Sequence, residues 1–235
     1  MLTLEDLVIA QGNFTLHADL AVPGAARVAI LGPSGGGKST LLGAIAGFMA
    51  PANGRILWQG QDIRHLPPSE RPVSILFQDN NLFPHLTAAQ NIGLGLRADL
   101  RLSASDQEKV RRALERTGLQ GLGNRRPAQL SGGQQSRVAL ARMLLQNKPL
   151  MLLDEPFSAL GPALRNEMLA LLKDLAKETG ATVLLVTHDP AEARLFAPLA
   201  IPVADGHVHP PADTVALLAN PPSMLAAYLG RPGGM

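Results

Sequence analysis

The sequence contains no cysteine. That excludes disulfides, iron–sulfur clusters and thiol catalysis, and it leaves the redox compartment open. Aromatic residues make up 3% of the chain, too few for the stacking platforms that grip single-stranded nucleic acid. The net charge is only +2, which calls for no polyanionic partner, so no nucleic acid is expected. No apolar run approaches the length of a bilayer span, and the longest, Leu195 to Ala204, is broken by Pro198 and Pro202. The opening Met1-Leu2-Thr3-Leu4-Glu5-Asp6 has no basic region followed by an apolar core. No signal peptide is therefore expected, and the reading is a cytoplasmic protein able to dock on a membrane component. What is present is 235 residues, 46% hydrophobic and 17% charged, a soluble globular profile long enough for a full core.

The most informative stretch is Gly32-Pro33-Ser34-Gly35-Gly36-Gly37-Lys38-Ser39, followed by Thr40. It fits Gly, any four residues, Gly, Lys, then Ser or Thr. An apolar segment, Val28 to Leu31, precedes it as a strand, and Thr40 to Ala46 follows as a helix, the context this phosphate-binding loop needs. The glycines let backbone N–H groups turn inward, and the helix N-terminus adds partial positive charge. Lys38 can reach the β- and γ-phosphates, and the Ser39 hydroxyl can hold Mg²⁺. The chain is expected to bind a nucleoside triphosphate.

Around this loop the pattern predicts an α/β fold. Leu2–Ile9 and Phe14–Val22 read as strands joined by a turn at Gln11-Gly12-Asn13, and Arg55–Trp58 as a short strand between turns at 51–54 and 59–62. Arg71–Gln78 reads as a strand. From about 79 to 147 the pattern is helical, with Thr87 as one cap and Ser105 with Glu108 as a capping box for a helix ending at Gly118. The expected organisation is a core of about 1–78 and 148–235 with a helical subdomain of about 79–147 inserted. Arg111, Arg112, Arg116, Arg125 and Arg126 read as a solvated helix face. Leu150–Leu153 and Thr182–Thr187 are continuous apolar runs suited to central parallel strands. Between them Pro162 opens a helix that Gly180 closes. Asp205-Gly206 makes a turn, and a helical tail runs to about residue 229. His207 and His209 read as a surface strand edge rather than a metal pair.

Ligands of parallel sheets bind at the carboxyl ends of strands. The polar residues at those ends are the phosphate loop, Asp154-Glu155, His188 and Gln78. Asp154 would hold Mg²⁺ opposite Ser39, Glu155 would polarise an attacking water, His188 would donate to the γ-phosphate, and Gln78 could touch metal or water. Leu130-Ser131-Gly132-Gly133-Gln134 precedes a further helix. It is either a second anion site or simply a helix cap. If it is an anion site, the chain has one to spare, which a second copy's nucleotide could use.

These motifs, in this order, resemble the ATPase subunits of ABC transporters over essentially the whole chain. The resemblance implies a P-loop NTPase with the ABC ATPase fold: a RecA-like core, an antiparallel β subdomain and an inserted helical subdomain. It implies ATP and Mg²⁺, and a head-to-tail homodimer in which Ser131, Gly132, Gly133 and Gln134 of one copy cap the γ-phosphate on Lys38 of the other. It implies Glu155 as general base and His188 as γ-phosphate sensor. Gln78 and the segment after it would couple to an integral membrane permease, and indirectly to a periplasmic substrate-binding protein, at the cytoplasmic face of the bacterial inner membrane. Arg71 to Phe83 and Asn91 to Leu96 look most like the ATPases of bacterial thiamine importers. Related importers for polyamines, sulfate or iron carry an added C-terminal domain for which this sequence leaves no room. A soluble ABC ATPase would bring two cassettes or a coiled-coil insert, and a P-loop kinase would have no use for Leu-Ser-Gly-Gly-Gln.

Two positions depart from the family pattern. Gln11 stands where an aromatic residue usually stacks on adenine, and Phe14, three residues on, reads as core. Gly161 replaces the usual Asp after Ser158-Ala159-Leu160, which puts coupling between two nucleotide sites in question.

Overall fold

The computed structural model describes residues 1–226 and 228. The described strands are β1 (Leu2–Gln11), β2 (Phe14–Val22), β3 (Arg27–Leu31), β4 (Asn53–Trp58), β5 (Gln61–Asp62), β6 (Val73–Leu76), β7 (Leu150–Asp154), β8 (Thr182–Val186), β9 (Leu199–Ala204), β10 (His207–Val208) and β11 (Ala212–Asp213). The α-helices are α1 (Lys38–Ala46), α2 (Ala88–Gly93), α3 (Ala104–Arg116), α4 (Gly132–Gln146), α5 (Pro162–Thr179), α6 (Pro190–Phe196), α7 (Thr214–Ala219) and α8 (Ser223–Ala226). Among these described residues no helix is long and apolar enough to cross a membrane.

One sheet joins both halves, in the order β5-β4-β1-β2-β10-β9-β3-β8-β7-β6, with β11 on β9. From β9 to β6 the strands are parallel. The pairs β1/β2, β1/β4 and β4/β5 are antiparallel. The two-residue β10 is the joint, antiparallel to β9 and parallel to β2. The parallel strands are buried on both faces, which is why their sequences are continuous apolar runs.

Three apolar clusters fill the molecule. One lies between the β1/β2/β4 face and α1, around Leu7, Leu16, Leu42 and Ile45. A second lies under α5 and α6, around Leu153, Leu172, Leu185 and Phe196. The third holds α2, α3 and α4 together around Ile92, Val110 and Val138. Helix α4 serves two of them: Leu140 and Met143 enter the second cluster, Val138 and Ala141 the third. The helices between β6 and β7 are thereby fastened to the sheet through one shared element.

Several expectations shift. Helix α3 is capped by Ser103, whose hydroxyl accepts from Asp106 N at 3.1 Å while the Asp106 carboxylate accepts from Ser103 N. Ser105 and Glu108 lie inside the helix, and Glu108 pairs with Arg111 and Arg112 instead. The expected turns at 51–54 and 59–62 overlap real strands, because Asn53 and Gln61 already pair with Val8 and Trp58. β6 is four residues long, not eight. α6 and β9 lie between His188 and Asp205, where no element is expected from the sequence. Pro190 is simply the first residue of α6 after the Asp189 cap. Pro202 sits in β9 opposite Leu31 and keeps its carbonyl bonded to His209 N at 2.9 Å. The expected end of the tail near residue 229 lies outside the described residues.

Candidate nucleotide site

The loop from Gly32 to Gly37 leaves β3 and enters α1, at the carboxyl end of the parallel strands. Two glycines are required by geometry. A Cβ on Gly32 would stand 1.9 Å from the Val203 carbonyl oxygen, and Gly37 caps α1 at φ 100, a left-handed conformation. Lys38 is buried, and its ammonium donates to the carbonyls of Gly32 and Pro33, both at 2.8 Å. Burial lowers its pKa, while the carboxylates of Glu155 and Asp154 pull it back up. The loop carbonyls thus hold the ammonium where phosphate oxygens would replace them.

Asp154 ends β7, in register with Val186 of β8. Burial raises its carboxyl pKa, opposed chiefly by a hydrogen bond from the Ser39 hydroxyl. Ser39 and Asp154 thus stand near each other, two hard oxygen donors of a kind that suits Mg²⁺. Glu155 follows at φ 44, an uncommon conformation for a non-glycine residue. This turns its side chain away from the line of β7, and its N–H is fixed to Val186 O at 3.1 Å. His188 Nδ1 lies 2.9 Å from Glu155 Oε2. The imidazole must donate there, which leaves Nε2 for a ligand.

A cleft of about 460 Å³ runs over the loop, lined by Gln11, Phe14, Ser34, Gly35, Gly37, Lys38, Ser39, Thr40 and Glu155. Phe14 is half-buried against the first cluster, as expected, but it also lines this cleft. Two sets of expected residues lie elsewhere in the single chain. Gln78 is exposed in the turn after β6 and is not among the lining residues. Ser131 caps α4 through a box with Gln134, and Ser131 and Gly132 are solvent-exposed. Gly133 is buried, and a Cβ there would stand 2.2 Å from Leu164 Cδ2, so it is a packing glycine; around Gly132 nothing stands within 4 Å.

The sequence reading missed the network behind His188. Arg165 of α5 donates to Ser158 O at 3.2 Å and Leu160 O at 3.1 Å and pairs with Asp189 and Glu192. Thr187 Oγ1 donates to the Glu192 carboxylate. Burial raises the Glu192 pKa, countered by that hydrogen bond and by Arg165. The Asp189-Pro190 pair, a cap followed by a first-turn proline, was the available signal for this helix.

A parallel-sheet core with this loop, an inserted helical block and an antiparallel flank defines an ATP-binding cassette. The chain belongs to the ABC transporter family, whose model matches residues 16–158. It is 62% identical to the thiamine import ATP-binding protein ThiQ of Cereibacter sphaeroides over 98% of this chain and 100% of that one. It is 50% identical to that of Salmonella typhimurium over 98% and 97%. Among solved structures it is similar to a dimeric post-hydrolysis state of an ATP-binding cassette bound to ADP and Pi, with a TM-score of 0.79 and 34% identity over 91% of this chain and 99% of that one. It is also similar to cbiO1 from Clostridium perfringens, part of the ABC transporter complex cbiONQ, with a TM-score of 0.81 and 30% identity over 93% and 90%.

Proposed function

We propose that the chain is the ATP-hydrolysing subunit of a bacterial importer for thiamine and its phosphates, working as a head-to-tail homodimer on a membrane permease. The observation that carries the chemistry is the pairing of Glu155 with His188 beside Lys38 and the Ser39–Asp154 contact. The relatives that carry thiamine import in their names support the substrate.

In this reading the triphosphate displaces the Gly32 and Pro33 carbonyls from Lys38, and the loop N–H groups of 34–40 wrap its phosphates. Ser39 and Asp154 would hold Mg²⁺, which when bound offsets the charge on the β- and γ-phosphate oxygens. Glu155 accepts the proton of the attacking water as the γ-phosphorus–oxygen bond to ADP breaks. His188 holds a γ-phosphate oxygen. Ser131 to Gln134 of a second copy close the cleft, a role that the solvent exposure of Ser131 and Gly132 in the single chain supports. Gln78 joins metal or water as the copies close.

The permease would dock beside the loop after Gln78. That loop is shaped from within: buried Asn91 bonds both N–H and C=O of Phe83, and Arg142 bonds Asn80 O and Asn81 O. It carries the exposed ring of Phe83 at a hollow of about 260 Å³ with Ile75, Phe77 and Leu94. In this reading the chain, whose described residues include no helix long and apolar enough to cross a membrane, would work at the cytoplasmic face of the inner membrane. Labelled thiamine uptake by cells lacking the gene tests the proposal. Complementation by the wild type but not by Glu155→Gln is expected, and uptake that never depended on the gene would remove the thiamine assignment.

A further inference from the structure

The loop that carries His188 is anchored on both sides but not at its centre. Thr187 Oγ1 is bonded to Glu192 and accepts from Asp189 N at 3.1 Å. Asp189 caps α6 through Ala191 N at 2.8 Å and pairs with Arg165. Between them the His188 side chain is 52% exposed and is tied to the protein through Glu155. Its backbone is held from far along the chain. The hydroxyl of Tyr228, 40 residues later, donates to the His188 carbonyl at 2.7 Å. The Tyr228 ring packs against the second apolar cluster. It stands close enough to the site that the carboxylates of Glu155 and Asp189 both act on its hydroxyl.

We propose that Tyr228 is a positioning residue for the ATPase reaction: its hydroxyl latches the peptide of His188, so that the imidazole is presented to Glu155 and the γ-phosphate in one orientation. A carbonyl held by an outside donor fixes its planar peptide unit and so the position of the His188 Cα, and with Thr187 N bonded to Ile30 O at 3.3 Å on the other side the Cα–Cβ bond has little rotation left. Arg165 cannot do this, because it holds Asp189 and Glu192, not His188. The proposal rests on the reading of His188 as the γ-phosphate contact.

The test is steady-state ATP hydrolysis by the full chain carrying Tyr228→Phe, which keeps the ring and removes only the donor. One neutral hydrogen bond predicts a kcat lower by about three- to ten-fold, with KM for ATP unchanged. With ¹⁵N-histidine labelling, the His188 ring resonances, identified by their loss in His188→Ala, are expected to move in Tyr228→Phe. Wild-type kcat together with unmoved His188 resonances would overturn the latch, as would a lowered unfolding midpoint with kcat intact. Glu155→Gln separates the two levels. Hydrolysis that ignores Glu155→Gln overturns the site reading itself, whereas hydrolysis that needs Glu155 and ignores Tyr228→Phe overturns only the latch.

Discussion

Arg71 donates from Nη1 to the carbonyl oxygen of Ala44 at 2.7 Å, at the C-terminal end of the helix whose N-terminus forms the phosphate loop. The same guanidinium reaches Ile45 O at 2.8 Å, and Leu66 O and Arg64 O at 3.0 Å. It is 2% exposed, and burial lowers its pKa against the pull of Asp62. A cation at the C-terminus complements the helix dipole, so Arg71 holds one end of α1 as phosphate would hold the other. Arg71→Met should cost about 3 kcal/mol, because it leaves buried carbonyls without donors. Denaturant unfolding checks this, and a loss below about 1 kcal/mol would show that the helix end finds other partners.

Adjacent glycines of the Leu-Ser-Gly-Gly-Gln segment should separate packing from chemistry. Gly133→Ala meets Leu164, whereas Gly132→Ala meets nothing within 4 Å. The first should lose about 1 kcal/mol of stability through overpacking. The second should fold at least as well as the wild type but, if the proposed head-to-tail dimer holds, hydrolyse ATP poorly, because in that dimer its methyl group would stand where a second copy's phosphate approaches. Equal ATPase rates for Gly132→Ala and wild type would argue that the segment is only a helix cap.

The strands that position the phosphates were legible because parallel strands buried on both faces must be continuously apolar, as Leu150–Leu153 and Thr182–Val186 are. The phosphate loop was legible because its glycines answer to steric needs that no other residue meets. β9 was hard to see because Pro202 lies inside it, a local cost that the pairing of β9 with β3 on one side and with β10 and β11 on the other overrides. The α3 cap was misplaced by two residues because Ser103 and Ser105 each have an acidic residue three positions on. Only the tertiary setting decides between them. The Tyr228 contact had no sequence signal, since a side chain bonding to a backbone carbonyl 40 residues away leaves no local pattern.

Gly161 caps α5 without a side-chain hydrogen bond, at φ −65 and ψ 157, and a Cβ there meets nothing within 4 Å. Gly161→Asp should therefore be tolerated and should add a few tenths of a kcal/mol as a better cap. If the missing carboxylate matters to coupling, the variant also raises the ATPase rate or the Hill coefficient. Unchanged rate and cooperativity would make the glycine incidental.

The cleft offers Gln11 and the half-buried Phe14, whose ring stands against the phosphate-loop glycine Gly37. A base without an aromatic platform forfeits about 1–3 kcal/mol. ATP and GTP should bind the full chain within about ten-fold of each other, and Gln11→Tyr should tighten ATP by about ten-fold. Calorimetric titration reads both. ATP favoured by more than ten-fold in the wild type would mean that Phe14 or another group already reads the base.

The chain has one tyrosine, so phenolate absorbance reports Tyr228 alone. Its pKa is pushed up to about 12, first by burial and then by the Glu155 and Asp189 carboxylates, from an ordinary value near 10. The unfolded chain loses this proton near pH 10 and the native chain near pH 12, so between them the unfolded state binds fewer protons. The stabilisation is complete below pH 10 and is lost as pH rises through the native value. The native titration midpoint should lie well above that measured in urea, and Glu155→Gln should bring it down by removing one of the charges that oppose phenolate. A native midpoint near 10 would place the hydroxyl in water, where it could not hold the His188 carbonyl.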